Sequence, residues 1–387
     1  MTTKCSSGRR LFGLIAMPRS SSGRRLFGLI AVLLAFALVA AACGNDDDSE
    51  GGIANCEVNE TDGDLNIFNW AEYIDEEQLA AFSEEYGVSA TMDVYDSNEA
   101  MQPIVAAGNS GYDLIVPSDY MVAILIAGET ISPLNKDAIP NISNISDDFR
   151  DLIYDPAGDY SVPYQWGTTG IAVDTDALGT DFPRTWGLIF DPALADAYSG
   201  SISLLNDPRE TMGAALKYLG YSLNSTDEDA LQQATDLVAS SRGRLAAFNT
   251  DSADEFLTTG ETVIAHGYSG DMFTQFLETE DPSRYVYFVP DEGGTRWIDN
   301  MAIPFDAGSP CTAHTFINWL LTPEQGAALS NWNYYSTPNE AAFSGLDEDL
   351  QAFLSTPGVA PVDNVEEIVD TGDYEVNFSD AFIEAKG

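Results

Sequence analysis

Two stretches of the chain set a carboxylate one or two residues from an aromatic ring. They are Phe68-Asn-Trp70-Ala-Glu72-Tyr73 and, far downstream, Glu292-Gly-Gly-Thr-Arg-Trp297-Ile-Asp299-Asn-Met-Ala-Ile-Pro304. An organic cation is held by that pairing, because the π face attracts the charge and the anion neutralises it. The chemistry implied is capture of an amine. An extracytoplasmic hydrolase is the competing class, but the chain lacks a Gly-x-Ser-x-Gly elbow and a His-Glu-x-x-His pair. Paired carboxylates as glycosidic catalysts remain the enzyme alternative.

The elements that must position these residues alternate in type. Leu65–Asn69 reads as a buried strand, and Asp75 caps a helix that puts Leu79, Phe82 and Tyr86 on one face. Ala90–Tyr95 is a second strand, Ser97 opens a helix, and Asp113–Pro117 is a third strand before the apolar helix from Asp119. A second series holds a strand over Ser201–Leu205, helices over Pro208–Leu219 and Asp227–Ser240, and strands near Val263 and Val286. The pattern predicts an α/β protein of two lobes with a mostly parallel sheet. Trp70, Glu72 and Tyr73, then Ser118 and Tyr120, then Asp207 and Glu210 all follow strands, where open α/β sheets bind ligands. Helix N-termini gather there and favour anions, so carboxylates in that position reverse the preference toward a cation. Asp207 and Glu210 can also serve the cap and first turn of the helix from Pro208.

Charge narrows the partners. The 387 residues carry 16 Lys and Arg against 62 Asp and Glu, and six of the bases lie in the first 25 residues. Such a surface repels nucleic acid and anionic headgroups. Acidic surfaces also accompany salty environments, so only the placed carboxylates argue for a ligand.

The N-terminus reads as an address. Arg24-Arg25 precede an apolar run from Leu26 to Ala42, ending in Ala-Ala-Ala-Cys43, and polar Gly44–Gly52 follows. This is similar to a bacterial lipoprotein signal, with Cys43 as the lipidated residue. Arg-Arg-Leu-Phe also resembles a twin-arginine signal, leaving the export route open. Ser6–Ala16 recurs unchanged as Ser21–Ala31 around Met17, a candidate natural start. Cys56 and Cys311 then remain, and two cysteines in an exported protein more often pair than not. No Cys and His spacing suggests zinc, Asp174-Thr-Asp176 lacks the rest of a calcium loop, and no metal or cofactor is expected.

Seven segments occur in order from Ile67 to Asn339: Ile-Phe-Asn-Trp-Ala-Glu-Tyr-Ile, Tyr-Asp-Ser-Asn-Glu-Ala-Met, Tyr-Asp-Leu-Ile-Val-Pro-Ser-Asp-Tyr, Val-Pro-Tyr-Gln-Trp-Gly-Thr-Thr-Gly-Ile, Asp-Pro-Arg-Glu, Gly-Gly-Thr-Arg-Trp-Ile-Asp and Ser-Thr-Pro-Asn. Together they closely resemble the spermidine/putrescine-binding proteins of bacterial ABC importers, extracellular solute-binding proteins. The resemblance implies a type II periplasmic-binding fold with a hinge and an interlobe cleft. It implies a signal peptide at 1–43, an acidic flexible linker at 44–63, one lobe of 64–167 with 300–340, and another of 168–299 with 341–387. The implied ligand residues are Trp70, Glu72, Tyr73, Ser118, Tyr120, Asp207, Glu210, Trp297, Asp299 and Tyr335. A tryptophan of the family is replaced by Tyr268, and Glu375 stands near a family glutamine. Arg209 is expected to point away from the ligand or to pair with a carboxylate, and Trp166 to pack at the lobe crossing. In the implied fold the N-terminal strand and the segment after Pro304 both belong to the first lobe, which brings Cys56 and Cys311 within reach of a disulfide. The expected protein is a monomer on the outer side of the membrane, tethered by lipid alone. It would bind a polyamine and deliver it to an ABC permease, with no turnover; the alternative ahead of a hydrolase is a receptor for another organic cation, such as a guanidino compound or a quaternary ammonium.

Overall fold

Leu65–Trp70 forms the first strand (β1), with Leu65, Ile67 and Phe68 buried. It feeds a helix at Glu76–Tyr86 (α1), which Asp75 caps by accepting from the Glu77 N–H and Gly87 ends at φ 70°. Ala90–Tyr95 (β2) leads to Asn98–Ala106 (α2), capped by Ser97, and Leu114–Ile115 (β3) leads to Asp119–Ala127 (α3). A computed structural model describes residues 54–354 and 364–387. Cys43 and the expected signal lie outside them.

Ser161–Asp174 (β4) is the longest strand, and only Trp166 among its 14 residues is not fully buried. Beyond it come Ile202–Leu204 (β5), Pro208–Tyr218 (α4), Glu228–Ser241 (α5), Leu245–Phe248 (β6), Ala253–Thr259 (α6), Ile264–Tyr268 (β7) and Ser269–Glu278 (α7). Tyr285–Phe288 (β8), Gly294–Ala302 (β9), Pro310–Leu320 (α8), Pro323–Asn333 (α9), Glu348–Leu354 (α10), Val365–Glu366 (β10) and Glu375–Lys386 (α11) complete the chain.

The sheet runs β2-β1-β3-β9-β4-β7-β5-β6, with β8 on β4 and β10 on β9. Its two ends are parallel, as the alternation of strand and helix requires. Its centre corrects the expectation of a mostly parallel sheet. There β4 and β9 pair antiparallel from Ser161 opposite Ala302 to Thr169 opposite Thr295. These two strands are separated in the chain by several strands and helices rather than by one crossover helix, so no single βαβ unit imposes a parallel direction on them. Two of the three expected lobe crossings, at 167/168 and 299/300, fall inside this pair; the third, at 340/341, lies after α9.

The two largest buried cores among the described residues draw on opposite ends of the sheet. Leu65, Ile67, Phe82, Leu114, Phe316 and Trp319 belong to one, and Ile202, Met212, Val238, Ile264, Phe288 and Phe378 to the other. A domain needs its own buried core, and two cores joined by two extended strands make a two-lobed molecule. Residues 54–63 are not a free linker. Cys56 is joined to Cys311 by a disulfide, and Asp62 accepts from the Cys311 and Thr312 N–H groups at the start of α8. Among the described residues no helix is long and apolar enough to cross a membrane.

Candidate functional site

The strand ends bring the site together. One cleft is lined by Trp70, Glu72 and Tyr73 after β1, Ser118 and Tyr120 after β3, Asp207 and Glu210 after β5, Tyr268 ending β7, Trp297 and Asp299 on β9, and Tyr335 after α9. Eleven of the twelve expected ligand residues therefore meet. Glu375 does not line the cleft.

Aromatic rings form the walls. Tyr268 stands edge-on to Trp70 at 6.3 Å and to Trp297 at 5.8 Å, and Trp297 lies 5.3 Å from Tyr335. Tyr73 completes the box, 5.1 Å from Tyr335. Two glycines let the rings in, since a β-carbon on Gly167 would stand 2.8 Å from Trp297 and one on Gly270 2.6 Å from Tyr335. Such rings present π faces suited to a cation and flat walls suited to methylenes.

Carboxylates supply the charge, each held by its own donors. Asp299 accepts from the Ser118 hydroxyl at 2.6 Å and the Tyr73 hydroxyl at 2.8 Å. Glu210 accepts from Thr169 at 2.9 Å and Thr295 at 2.7 Å. Asp207 caps α4 by accepting from the Glu210 N–H at 2.9 Å, with Pro208 in the first helical position. Thus one residue serves as cap and wall together. Glu72, at the exposed rim, adopts φ 51°, a left-handed conformation that non-glycine residues rarely take.

Asp207, Glu210 and Asp299 are 3 %, 5 % and 5 % exposed. Burial pushes Asp299 up to about 7 against its two hydroxyl donors, and Glu210 up to about 7 against Thr295, Thr169 and Arg209. Asp207 is raised well above the carboxylate range by burial and by the neighbouring charges of Glu99 and Glu210. Among the described residues, none of the three is ion-paired with a lysine or arginine. Desolvated carboxylates without a protein cation are costly, and a cation entering the cleft relieves that cost.

Residues 77–352 match the profile of the bacterial extracellular solute-binding proteins. The chain belongs to that family. Among relatives of this solute-binding protein, the putrescine/cadaverine-binding protein of Pseudomonas aeruginosa is 35 % identical over 297 residues, 75 % of this chain and 84 % of the relative. A putative spermidine/putrescine ABC transporter structure from Listeria monocytogenes is 31 % identical with a TM-score of 0.78, over 84 % of this chain and 99 % of that one. A lipoprotein of Treponema pallidum is 28 % identical with a TM-score of 0.71, over 83 % and 99 % of the two chains.

Glu375 of this solute-binding protein is engaged elsewhere. It pairs with Arg209, whose side chain is fully buried and also donates to Asn224 at 2.9 Å. The guanidinium carbon lies 4.3 Å from the Phe378 ring and 5.2 Å from that of Tyr120. A buried guanidinium requires a counter-ion, and Glu375 is it. Trp166 is half-buried and has the Arg296 guanidinium 5.3 Å from its ring, a packing role beside the crossing strands.

Sequence reasoning passed over Asn98, Asp119, Asp251 and Asp271, which also line the cleft. Asp271 accepts from the Tyr335 hydroxyl at 2.7 Å, and burial followed by the charge of Asp254 raises it well above the usual range. Its signal was available: it lies in the first turn of the helix that starts directly after Tyr268, at a strand end. Asp119 takes the Tyr120 N–H at 2.8 Å and the Ile298 N–H at 3.3 Å, which ties α3 to β9.

Proposed function

We propose that this chain is an extracytoplasmic receptor that captures a linear polyamine, spermidine or putrescine, and delivers it to an ABC permease. The observation that carries the reading is the set of buried carboxylates, Asp207, Glu210 and Asp299, facing an aromatic box with no ion-paired lysine or arginine among the described residues. The names of the Pseudomonas and Listeria relatives support the same ligand class. Ammonium groups would be fixed by the carboxylates while Trp70, Tyr268, Trp297 and Tyr335 cover the methylenes, and closure of the lobes would remove the cation from water.

In this reading the lobes divide as 64–167 with 300–340 and 168–299 with 341–387, and the β4 and β9 strands act as the hinge. The protein is a monomer, performs no turnover, and is tethered through lipid on Cys43. The lipoprotein relative from Treponema supports the tether. Mass spectrometry of ligand carried through native purification, followed by calorimetry with spermidine, putrescine and a neutral diol of matched length, tests the reading. Polyamine is expected to co-purify and the diol to fail. Diol binding equal to that of the amines would remove the assignment. For the tether, Cys43→Ser should release the protein from membranes.

A further inference from the structure

Asp96 follows β2 at one edge of the sheet, and Asn206 follows β5 next to the opposite edge, with β1, β3, β9, β4 and β7 between them. In a flat sheet those strand spacings would hold the two ends roughly 29 Å apart. Here the Asn206 side-chain amide donates to Asp96 Oδ2 at 2.5 Å. The sheet bends about its centre until its ends approach, and this bond lies where they meet.

The amide is held from both sides. Its oxygen accepts from the Lys386 ammonium, and the Asn206 backbone N–H donates to the Thr250 hydroxyl at 3.0 Å. Lys386 ends α11 and stands 5.4 Å from the Phe382 ring and 5.6 Å from that of Phe248, which anchors it to the core of β5, α4 and α11. Asp96 belongs to the other end, since the preceding Tyr95 packs on Phe68 of β1 at 4.8 Å. Among the described residues neither Asp96 nor Lys386 forms a direct ion pair. The amide stands between anion and cation instead. Turned over, it would set its NH2 against the ammonium and its oxygen against the carboxylate, so the two charges fix its orientation.

We propose that Asp96, Asn206 and Lys386 form a latch that holds the lobes together and slows release of ligand. None of the three lines the cleft, yet Asp207 directly follows Asn206 and Asn98 lies two residues beyond Asp96. The inference rests on the reading of a receptor whose lobes close on a polyamine, and it names what keeps them closed. Opening separates Asp96 from Asn206 and leaves the bonds of Asn206 to Lys386 and Thr250 intact, because those lie within one lobe. Ligand enters the open form, where the bond to Asp96 is absent, and leaves only after that bond breaks. The latch therefore acts on dissociation and not on association.

Stopped-flow fluorescence of the cleft tryptophans, Trp70 and Trp297, gives both rates for spermidine and putrescine on the whole protein. Asp96→Ala should speed dissociation of either amine by about tenfold, with association changed by less than about threefold. Lys386→Met keeps the apolar stem on the two rings and removes the ammonium that orients the amide, so it too should speed dissociation, by about threefold. The double variant should release ligand no faster than Asp96→Ala alone. Long-range attraction of a cationic ligand predicts opposite signs, since losing an anion weakens it and losing a cation strengthens it. Slower release in Lys386→Met, fully additive effects, or a loss in Asp96→Ala carried by slower association would each overturn the latch. The ligand-free melting temperature of Asp96→Ala should match that of wild type, because the open form lacks the bond; a clear fall would make the bond a general stabiliser and reject the proposal. A wild type that binds neither amine would bring down the polyamine reading itself, whereas normal binding with unchanged release in Asp96→Ala removes the latch alone.

Discussion

Ser118 and Asp299 face each other as an isolated antiparallel bridge, and the Ser118 hydroxyl donates to the Asp299 carboxylate at 2.6 Å. Ser118 opens α3 and Asp299 lies on β9, so this one bond aligns a helix start with a central strand. Asp299→Asn keeps the shape and removes the charge. Losing one partner of a buried charge pair costs on the order of 2–5 kcal/mol, so polyamine affinity should fall roughly thirtyfold or more. Ser118→Ala removes only the orienting bond and should cost about tenfold or less. Calorimetric titration of the two variants checks both, and an Asp299→Asn protein that binds like wild type contradicts the role given to this carboxylate.

Proton release should accompany binding. Burial raises Asp299 and Glu210 to about 7, so without ligand they hold protons at mildly acid pH. A bound ammonium favours their ionised forms and lowers those values, so affinity should rise by roughly tenfold or more from about pH 5 to about pH 8. Titrations in buffers of different ionisation enthalpy measure the released protons directly.

Stability of the ligand-free protein should run the other way. A carboxyl whose folded pKa is raised contributes stability that is fully present below its unfolded value and is lost as pH rises through the folded one. For Asp299, Glu210 and Asp254, all raised to about 7, that window runs from about 4 to about 7. The ligand-free melting temperature should therefore fall between about pH 5 and about pH 8, and polyamine should raise it more at the higher pH. Thermal scans across that range would expose a flat or rising profile, which this account does not allow.

Gly270 is needed for space rather than for its backbone freedom. A β-carbon there would stand 2.6 Å from the Tyr335 ring, whose hydroxyl holds Asp271. Gly270→Ala should displace that ring, destabilise the protein by roughly 1–3 kcal/mol and weaken polyamine binding by about tenfold. Denaturation and titration of the same preparation separate the two effects.

The disulfide between Cys56 and Cys311 closes a separation of 255 residues and ties the segment before β1 to α8. Replacing both cysteines by serine should cost roughly 2–4 kcal/mol. Neither residue lines the cleft, so polyamine affinity should change by less than about threefold when measured below the lowered melting temperature. A larger affinity loss would mean that the disulfide couples to the cleft.

Local signals made much of the fold legible. Asp75, Ser97, Asp207 and Asp227 cap the helices that follow them, and the apolar cores of β1, β5 and β7 stand out against polar flanks. The β4 strand was harder to see, because Pro163, Gln165, Gly167 and two threonines interrupt its apolar pattern. Those residues suit a strand buried on both faces, where Gly167 makes room for Trp297 and Thr169 holds Glu210. Their pairing with β9 is a contact across more than a hundred residues, which no local pattern records.

By itself the sequence determined which side chains could make a cation site, because rings and carboxylates beside strand ends can be counted without coordinates. Tertiary structure decided which of those carboxylates are available. Glu375 and Asp271 looked like a candidate and a bystander, yet the fold hands Glu375 to Arg209 across 166 residues and turns Asp271 into the cleft beside Tyr335. Charge pairing acts through space, and the energy of a buried carboxylate depends on its nearest cation and on how much water it has lost. Both quantities are set only when distant segments pack.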